Sequence, residues 1–304
     1  MSLETVPNTS PSISTQASVV LPDPPAEEPP SRGLPPGRGV LPAVKEVITH
    51  RQILSNFVRR DFAAQHRNSF LGFLWSLLNP LFLVAVFTLV FKVLRAAPQG
   101  KEGAPFALFF FTGLTIWNLF SNSVQASTNS IVSSRHLIQK VYFPREILPL
   151  SIVLSNAITF LFESIVLVAG VSIFYKLPGL KAPLAALPVV TIMILAYGVG
   201  LILATINVYF RDVEHFVSII MLAWFWFSGV IVDPSWVKAH GTTSYFLFSL
   251  NPVVGLVDSF RRLLLYNAWP DWTLFGYSVA VSVSSLILGM LIFNRFERAF
   301  AELV

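Results

Sequence analysis

The chain has 304 residues, of which 54% are hydrophobic, 13% aromatic and only 12% charged, with a formal net charge of +5. A soluble fold of this length carries roughly twice that share of charge, and disorder or coiled coil is excluded for most of the chain, which leaves a polytopic, all-α integral membrane protein. The absence of cysteine removes disulfide frameworks, Cys-ligated zinc, Fe–S clusters and Cys nucleophiles from consideration.

Residues 1–42 differ from everything after them and hold ten of the 21 prolines. Pro-rich polar sequence buries little apolar area, so this segment is expected to be a disordered cytoplasmic tail, either solvated or docking a partner. No basic start leads into an apolar core, so it does not read as a signal peptide. Residues 43–304 read as one transmembrane domain. Its first element, 44–67, places Val44, Val47, Ile48, Leu54, Val58 and Phe62 within about a third of a helix circumference. Lys45, Arg59, Arg60 and Arg67 lie on other faces, while Arg51 falls on the apolar stripe and Phe57 off it. This is the composition of an amphipathic helix lying in the membrane interface, with a soluble amphipathic helix as the alternative.

Six apolar segments follow, at about 71–94, 106–129, 147–175, 183–210, 213–232 and 272–294. Each is near the ~20 residues needed to cross ~30 Å of hydrocarbon. Between the last two, residues 245–266 are too short to cross twice and contain Asn251-Pro252. They read as two short helices that enter the outer side of the membrane and return, turning at the proline. With the N terminus inside, 13 of the 21 lysines and arginines fall on the inner side, which predicts two cytoplasmic termini.

The chain lacks a Gly-x-x-x-x-Gly-Lys-Ser/Thr phosphate loop, a His-Glu-x-x-His pair, a Gly-x-Ser-x-Gly elbow and an Asp-x-Asp pair. Apart from Glu214 at the start of the fifth run, Glu163 is the one acidic residue within the apolar runs, too few for a proton-coupled carrier. An unpaired charge there costs several kcal/mol, so Glu163 is expected to be protonated, paired with another helix or wetted by a channel. An enzyme is disfavoured, no metal site is expected, and the energy for transport is assigned to another subunit.

Residues 67–80, Arg-Asn-Ser-Phe-Leu-Gly-Phe-Leu-Trp-Ser-Leu-Leu-Asn-Pro, carry the most specific pattern. Gly72 would let a backbone pass closely where the interfacial helix turns into the first span, Trp75 suits the headgroup level, and Pro80 permits a bend. Here the sequence resembles the permease subunits of polysaccharide-exporting ABC transporters, the exporters of O-antigen, capsule, teichoic acid and actinobacterial galactan. The resemblance rests on Arg67, Leu71, Gly72, Leu74, Trp75 and Pro80. It extends to Tyr142-Phe143-Pro144-Arg145-Glu146, to Asn207-Val208-Tyr209-Phe210-Arg211-Asp212, and to Asn251-Pro252 with the helix carrying Arg261. It covers residues 44 to the C terminus.

The resemblance implies a bacterial inner-membrane homodimer around a central path, two ATPase subunits beneath it holding ATP and Mg²⁺, and a lipid-linked polysaccharide as cargo. Membrane lipid would surround it, and no nucleic acid is implied. Arg135, Lys140, Tyr142, Arg145, Glu146, Arg211 and Asp212 become candidates for contact with the ATPase. Positive-inside topology and a helix-end ion pair explain the same charges without docking. Arg59, Arg60 and Arg67 could hold a pyrophosphate headgroup bidentately or attract anionic lipid generally. Aromatic faces stack on sugar rings, but consecutive aromatics in a helix point in different directions. Phe111, Trp117, Phe120, Trp224 and Trp226 are therefore candidates for the channel, against lipid-facing packing. Asn251, Pro252, Asp258 and Arg261 would form an outer gate, with Asp258 and Arg261 paired three residues apart. A same-fold permease for a drug or small lipid, and a membrane sugar transferase, are the rival functions.

Overall fold

A computed structural model describes residues 49–65, 72, 74–93, 104–140, 143–297 and 300. The tail 1–42, Arg67 and Tyr142 lie outside the described residues. Every regular element among the described residues is helical. In chain order these are α1 (Arg51–Gln65), α2 (Leu74–Val93), α3 (Phe106–Thr128), two short turns of helix α4 (Ser130–Ser133) and α5 (Arg135–Ile138), and α6 (Ile147–Phe174). A 3₁₀ turn at Ala182–Ala185 leads into α7 (Ala186–Tyr209), followed by α8 (Val213–Trp226), α9 (Pro234–His240), α10 (Thr242–Ser249), α11 (Pro252–Leu264) and α12 (Trp272–Phe296).

Among the described residues, five helical segments are long and apolar enough to cross a membrane: α2, α3, α6, Ala182–Tyr209 and α12. The segment expected at 213–232 departs from that pattern. Its helix, α8, has 14 residues, about 21 Å of rise against ~30 Å of hydrocarbon. The chain leaves α8 through turns at Phe227 and Ser228, and Gly229 adopts φ +79°, a left-handed conformation that glycine takes without a Cβ clash. Hydropathy cannot register this break, because Val230 and Ile231 beyond it are apolar and buried.

The core is built around α3, which is buried on nearly all sides and packs against α2, α6, α7, α8 and α11. Thr112, Thr115 and Thr128 return their hydroxyls to the carbonyls of Leu108, Phe111 and Val124 at 2.6–2.9 Å. These three buried threonine hydroxyls are thereby satisfied within their own helix. Small residues let α7 and α12 approach closely: a Cβ on Gly289 would lie 2.4 Å from the Gly198 carbonyl oxygen. By contrast α2 buries only Pro80 and Val84, and its apolar surface faces outward.

The ends of the helices sort into two groups. Arg145 Nη1 donates to the Glu297 carbonyl and Tyr209 lies edge-on to Phe296 at 5.8 Å. The α5–α6 connection, the α7–α8 turn and the end of α12 therefore share one end of the bundle. At the opposite end, the Lys181 amide donates to Asn267 Oδ1 and its ammonium sits 4.7 Å over the Trp269 ring. Gly72 has φ +48° and open space where a Cβ would point. This glycine serves a left-handed turn, and no described residue approaches it closely.

Candidate functional site

Residues 245–266 form two helices broken at Leu250 and Asn251, near the turn that the proline predicts. Pro252 occupies the first turn of α11, where a missing amide donor costs nothing. Asn251 caps that helix: its Oδ1 accepts from the Val253 amide at 3.1 Å, while its Nδ2 donates to the Phe227 carbonyl at 2.7 Å. Arg261 is fully buried. Its Nη1 and Nη2 donate to the Gly229 and Val230 carbonyls at 3.0 and 2.9 Å, and its guanidinium lies 3.6 Å over the Phe109 ring. Asn251 and Arg261 thus satisfy the carbonyls that the break after α8 leaves without helical partners. The expected Asp258–Arg261 pair is not what forms. Asp258 instead pairs with Arg262, one turn on, at 2.6 Å. Burial raises the Asp258 carboxyl above its ordinary value, and the Arg262 charge opposes that rise.

A cavity of about 480 Å³ opens between α2, α3 and α8. Trp117 and Phe225 line it edge-on to each other at 5.9 Å, and Phe87 and Trp226 close another wall at 6.4 Å. Asn118, Ser121 and Gln125 supply a polar edge, with Gln125 Nε2 donating to Ser121 Oγ at 2.8 Å. Aromatic walls with an amide and hydroxyl edge suit a ligand that has apolar faces and polar rims. Of the predicted channel aromatics, Trp117 and Trp226 line this cavity. Phe120 and Trp224 pack on each other at 5.4 Å outside its lining, and Phe111 is buried in the core.

At the other end, Arg135, Lys140, Arg211 and Asp212 are exposed. Buried Asn207 orders the turn between α7 and α8, its Oδ1 accepting from the Glu214 amide at 3.2 Å. Arg145 reaches the Glu297 carbonyl, and Glu146 is buried with its own carbonyl accepting from the Tyr197 hydroxyl at 3.2 Å. These two residues hold the subunit together at its base. The amphipathic helix α1 is tied to the same base. Phe57 meets Phe143 at 5.3 Å, Asp61 accepts from Ser151 Oγ at 2.6 Å, and Gln65 donates to Asn156 at 3.3 Å. Arg60 pairs with Asp61 at 2.7 Å and lies over the Phe57 ring, whereas Arg59 is exposed.

Residues 52–265 match the ABC-2 type transporter family. The chain belongs to that family. It is 35% identical over 263 residues to the O-antigen export system permease protein RfbA of Myxococcus xanthus, covering 85% of this chain and 98% of that one. It is 26% identical over 254 residues to the O-antigen export system permease protein RfbA of Klebsiella pneumoniae, covering 83% and 95%.

In this ABC-2 permease the match ends at the helix that carries Arg261 and encloses both the aromatic cavity and the exposed base. Sequence reasoning missed Phe225 and the polar positions Asn79, Asn118, Asn122, Gln125 and Asn156. The signal was present on α3, where 118, 122 and 125 recur at helical spacing in an apolar run.

Proposed function

We propose that this chain is the membrane permease of an ATP-driven exporter that carries a lipid-linked polysaccharide across the cytoplasmic membrane. The observation that carries this reading is the near full-length match to O-antigen export permeases, 35% identical across 98% of one of them. The aromatic cavity beside α8 supports it, since stacked rings bind sugar faces without a single tight stop.

Two copies enclose the path, and a separate ATPase binds beneath, holding ATP and Mg²⁺. The exposed Arg135, Lys140, Arg211 and Asp212 meet that ATPase. Arg59, Arg60 and Arg67 engage the pyrophosphate at the inner surface. The sixth crossing is α8 continued by the non-helical residues 227–232, whose carbonyls Asn251 and Arg261 satisfy. The α10–α11 pair dips into the outer leaflet and closes the mouth. Residues 43–304 form the permease domain behind a cytoplasmic tail, and both termini face the cytoplasm.

Deletion of the gene in its host should remove the glycan from the cell surface and accumulate its lipid-linked form on the inner face, with both effects reversed by the wild-type copy. Unchanged surface glycan in the deletion strain would refute the assignment.

A further inference from the structure

A second, polar cleft lies inside the subunit between α2, α3 and α6. Its outer part, about 480 Å³, opens where α1 ends and α2 begins, at Gln65, Gly72 and Trp75. Its inner part, about 270 Å³, shares Ser76, Asn79, Asn122 and Thr159 with the outer part and ends at Asn118 and Glu163. The two are one continuous cleft that penetrates along α6 from Asn156 to Glu163, about 10 Å at helical rise.

Each helix contributes a polar stripe at helical spacing. On α6 it is Asn156, Thr159 and Glu163; on α3 it is Asn118, Asn122 and Gln125; on α2 it is Ser76 and Asn79. Glu163 is 4% exposed and Asn156 7% exposed. Asn118 hydrogen-bonds the Glu163 carboxyl. Even so, Glu163 Oε2, Asn156 Nδ2 and Thr159 Oγ1 have no hydrogen-bond partner among the described residues. Unpaired groups so deep in a bundle cost free energy unless something in the cleft bonds them.

The donor set selects the occupant. Amides and hydroxyls offer donors and acceptors together, and a carboxyl accepts from adjacent hydroxyls. No lysine or arginine is among the described lining residues, so none of these side chains balances a phosphate. The half-exposed Trp75 ring stands at the mouth and supplies an apolar face. We propose that this cleft is a saccharide-binding site that takes a neutral pyranose unit of the cargo through its hydroxyl and amide groups. This rests on the export reading above and adds to it a site, inside each subunit, that reads the sugar and not the phosphate.

The test uses the full-length chain in nanodiscs and two probes: an isoprenoid pyrophosphate bearing a disaccharide, and the same lipid pyrophosphate without sugar. Wild-type protein should bind the sugar-bearing lipid at least about tenfold more tightly, the worth of a few hydrogen bonds. The double variant Asn122→Leu, Thr159→Val should lose that preference while its affinity for the sugarless lipid stays the same. A retained preference overturns the proposal and leaves the export reading standing. An equal fall for both lipids overturns it in favour of a cleft that reads phosphate. Binding of neither lipid by wild-type protein overturns the export reading, and this one with it. Should the double variant fail to fold, a disaccharide lipid with a photoreactive sugar settles the matter on the unaltered chain. Crosslinks to α2, α3 and α6 peptides around Asn79, Asn122 and Thr159 support the site, and crosslinks confined to other segments overturn it.

Discussion

Arg261 is a buried cation met by two backbone carbonyls and an aromatic face. Replacing it with methionine would leave the Gly229 and Val230 carbonyls unpaired, at about 1–3 kcal/mol each. Arg261→Met is therefore expected to lower the unfolding midpoint of the purified permease by on the order of 5 °C or more, read by thermal denaturation in detergent. Gly113→Ala should act in the same direction, because its Cβ would fall 2.4 Å from Arg261 Nη2. An unshifted midpoint in both variants would show that the carbonyls find other partners. The importance of Asn251 and Arg261 was legible in the sequence, but their partners were not. Main-chain carbonyls 24 to 32 positions away leave no side-chain signature. Helical spacing allows Asp258 to meet either Arg261 or Arg262, and only the burial of Arg261 against α3 decides between them.

At the scale of elements, the base of the bundle separates residues that hold the subunit from residues it presents. Arg145 anchors the end of α12, whereas Arg211 and Asp212 sit exposed in the α7–α8 turn. Arg145→Ala should reduce thermal stability, by about 1.5–3 kcal/mol for a lost charged hydrogen bond. The double charge reversal Arg211→Glu, Asp212→Arg should leave stability unchanged and lower cargo-stimulated ATP hydrolysis in the assembled transporter several-fold. Full stimulation in that reversal variant would return these charges to a topological role. The long helices were readable because ~20 apolar residues have few alternatives to crossing a membrane. The end of α8 was not, since Phe227 to Val232 are apolar apart from Ser228 while Gly229 turns the backbone out of the helix. The two-helix form of 242–264 was readable from Asn251-Pro252, because a proline both breaks one helix and starts the next.

Across the whole molecule, a buried α3 stands between two differently lined spaces. Toward α2 and α8 it presents rings, and toward α2 and α6 it presents amides. Single asparagines scattered through apolar runs attract no notice in a sequence. Only the packing of three helices shows that their stripes converge. The outward faces of α2 and α8, with Phe82, Leu89, Phe216 and Ile219 exposed, supply the apolar surface that lipid or a second copy must cover. In the proposed assembly, ATP is held by a separate ATPase, since this chain carries no phosphate loop. The most direct measurement places the permease and its ATPase in proteoliposomes with a labelled lipid-linked glycan, and follows movement of the label between leaflets by its accessibility to a membrane-impermeant glycosidase. The account predicts movement that requires ATP and both polypeptides. Glycan that stays in its original leaflet with ATP and both proteins present, or moves equally well without ATP, would contradict it.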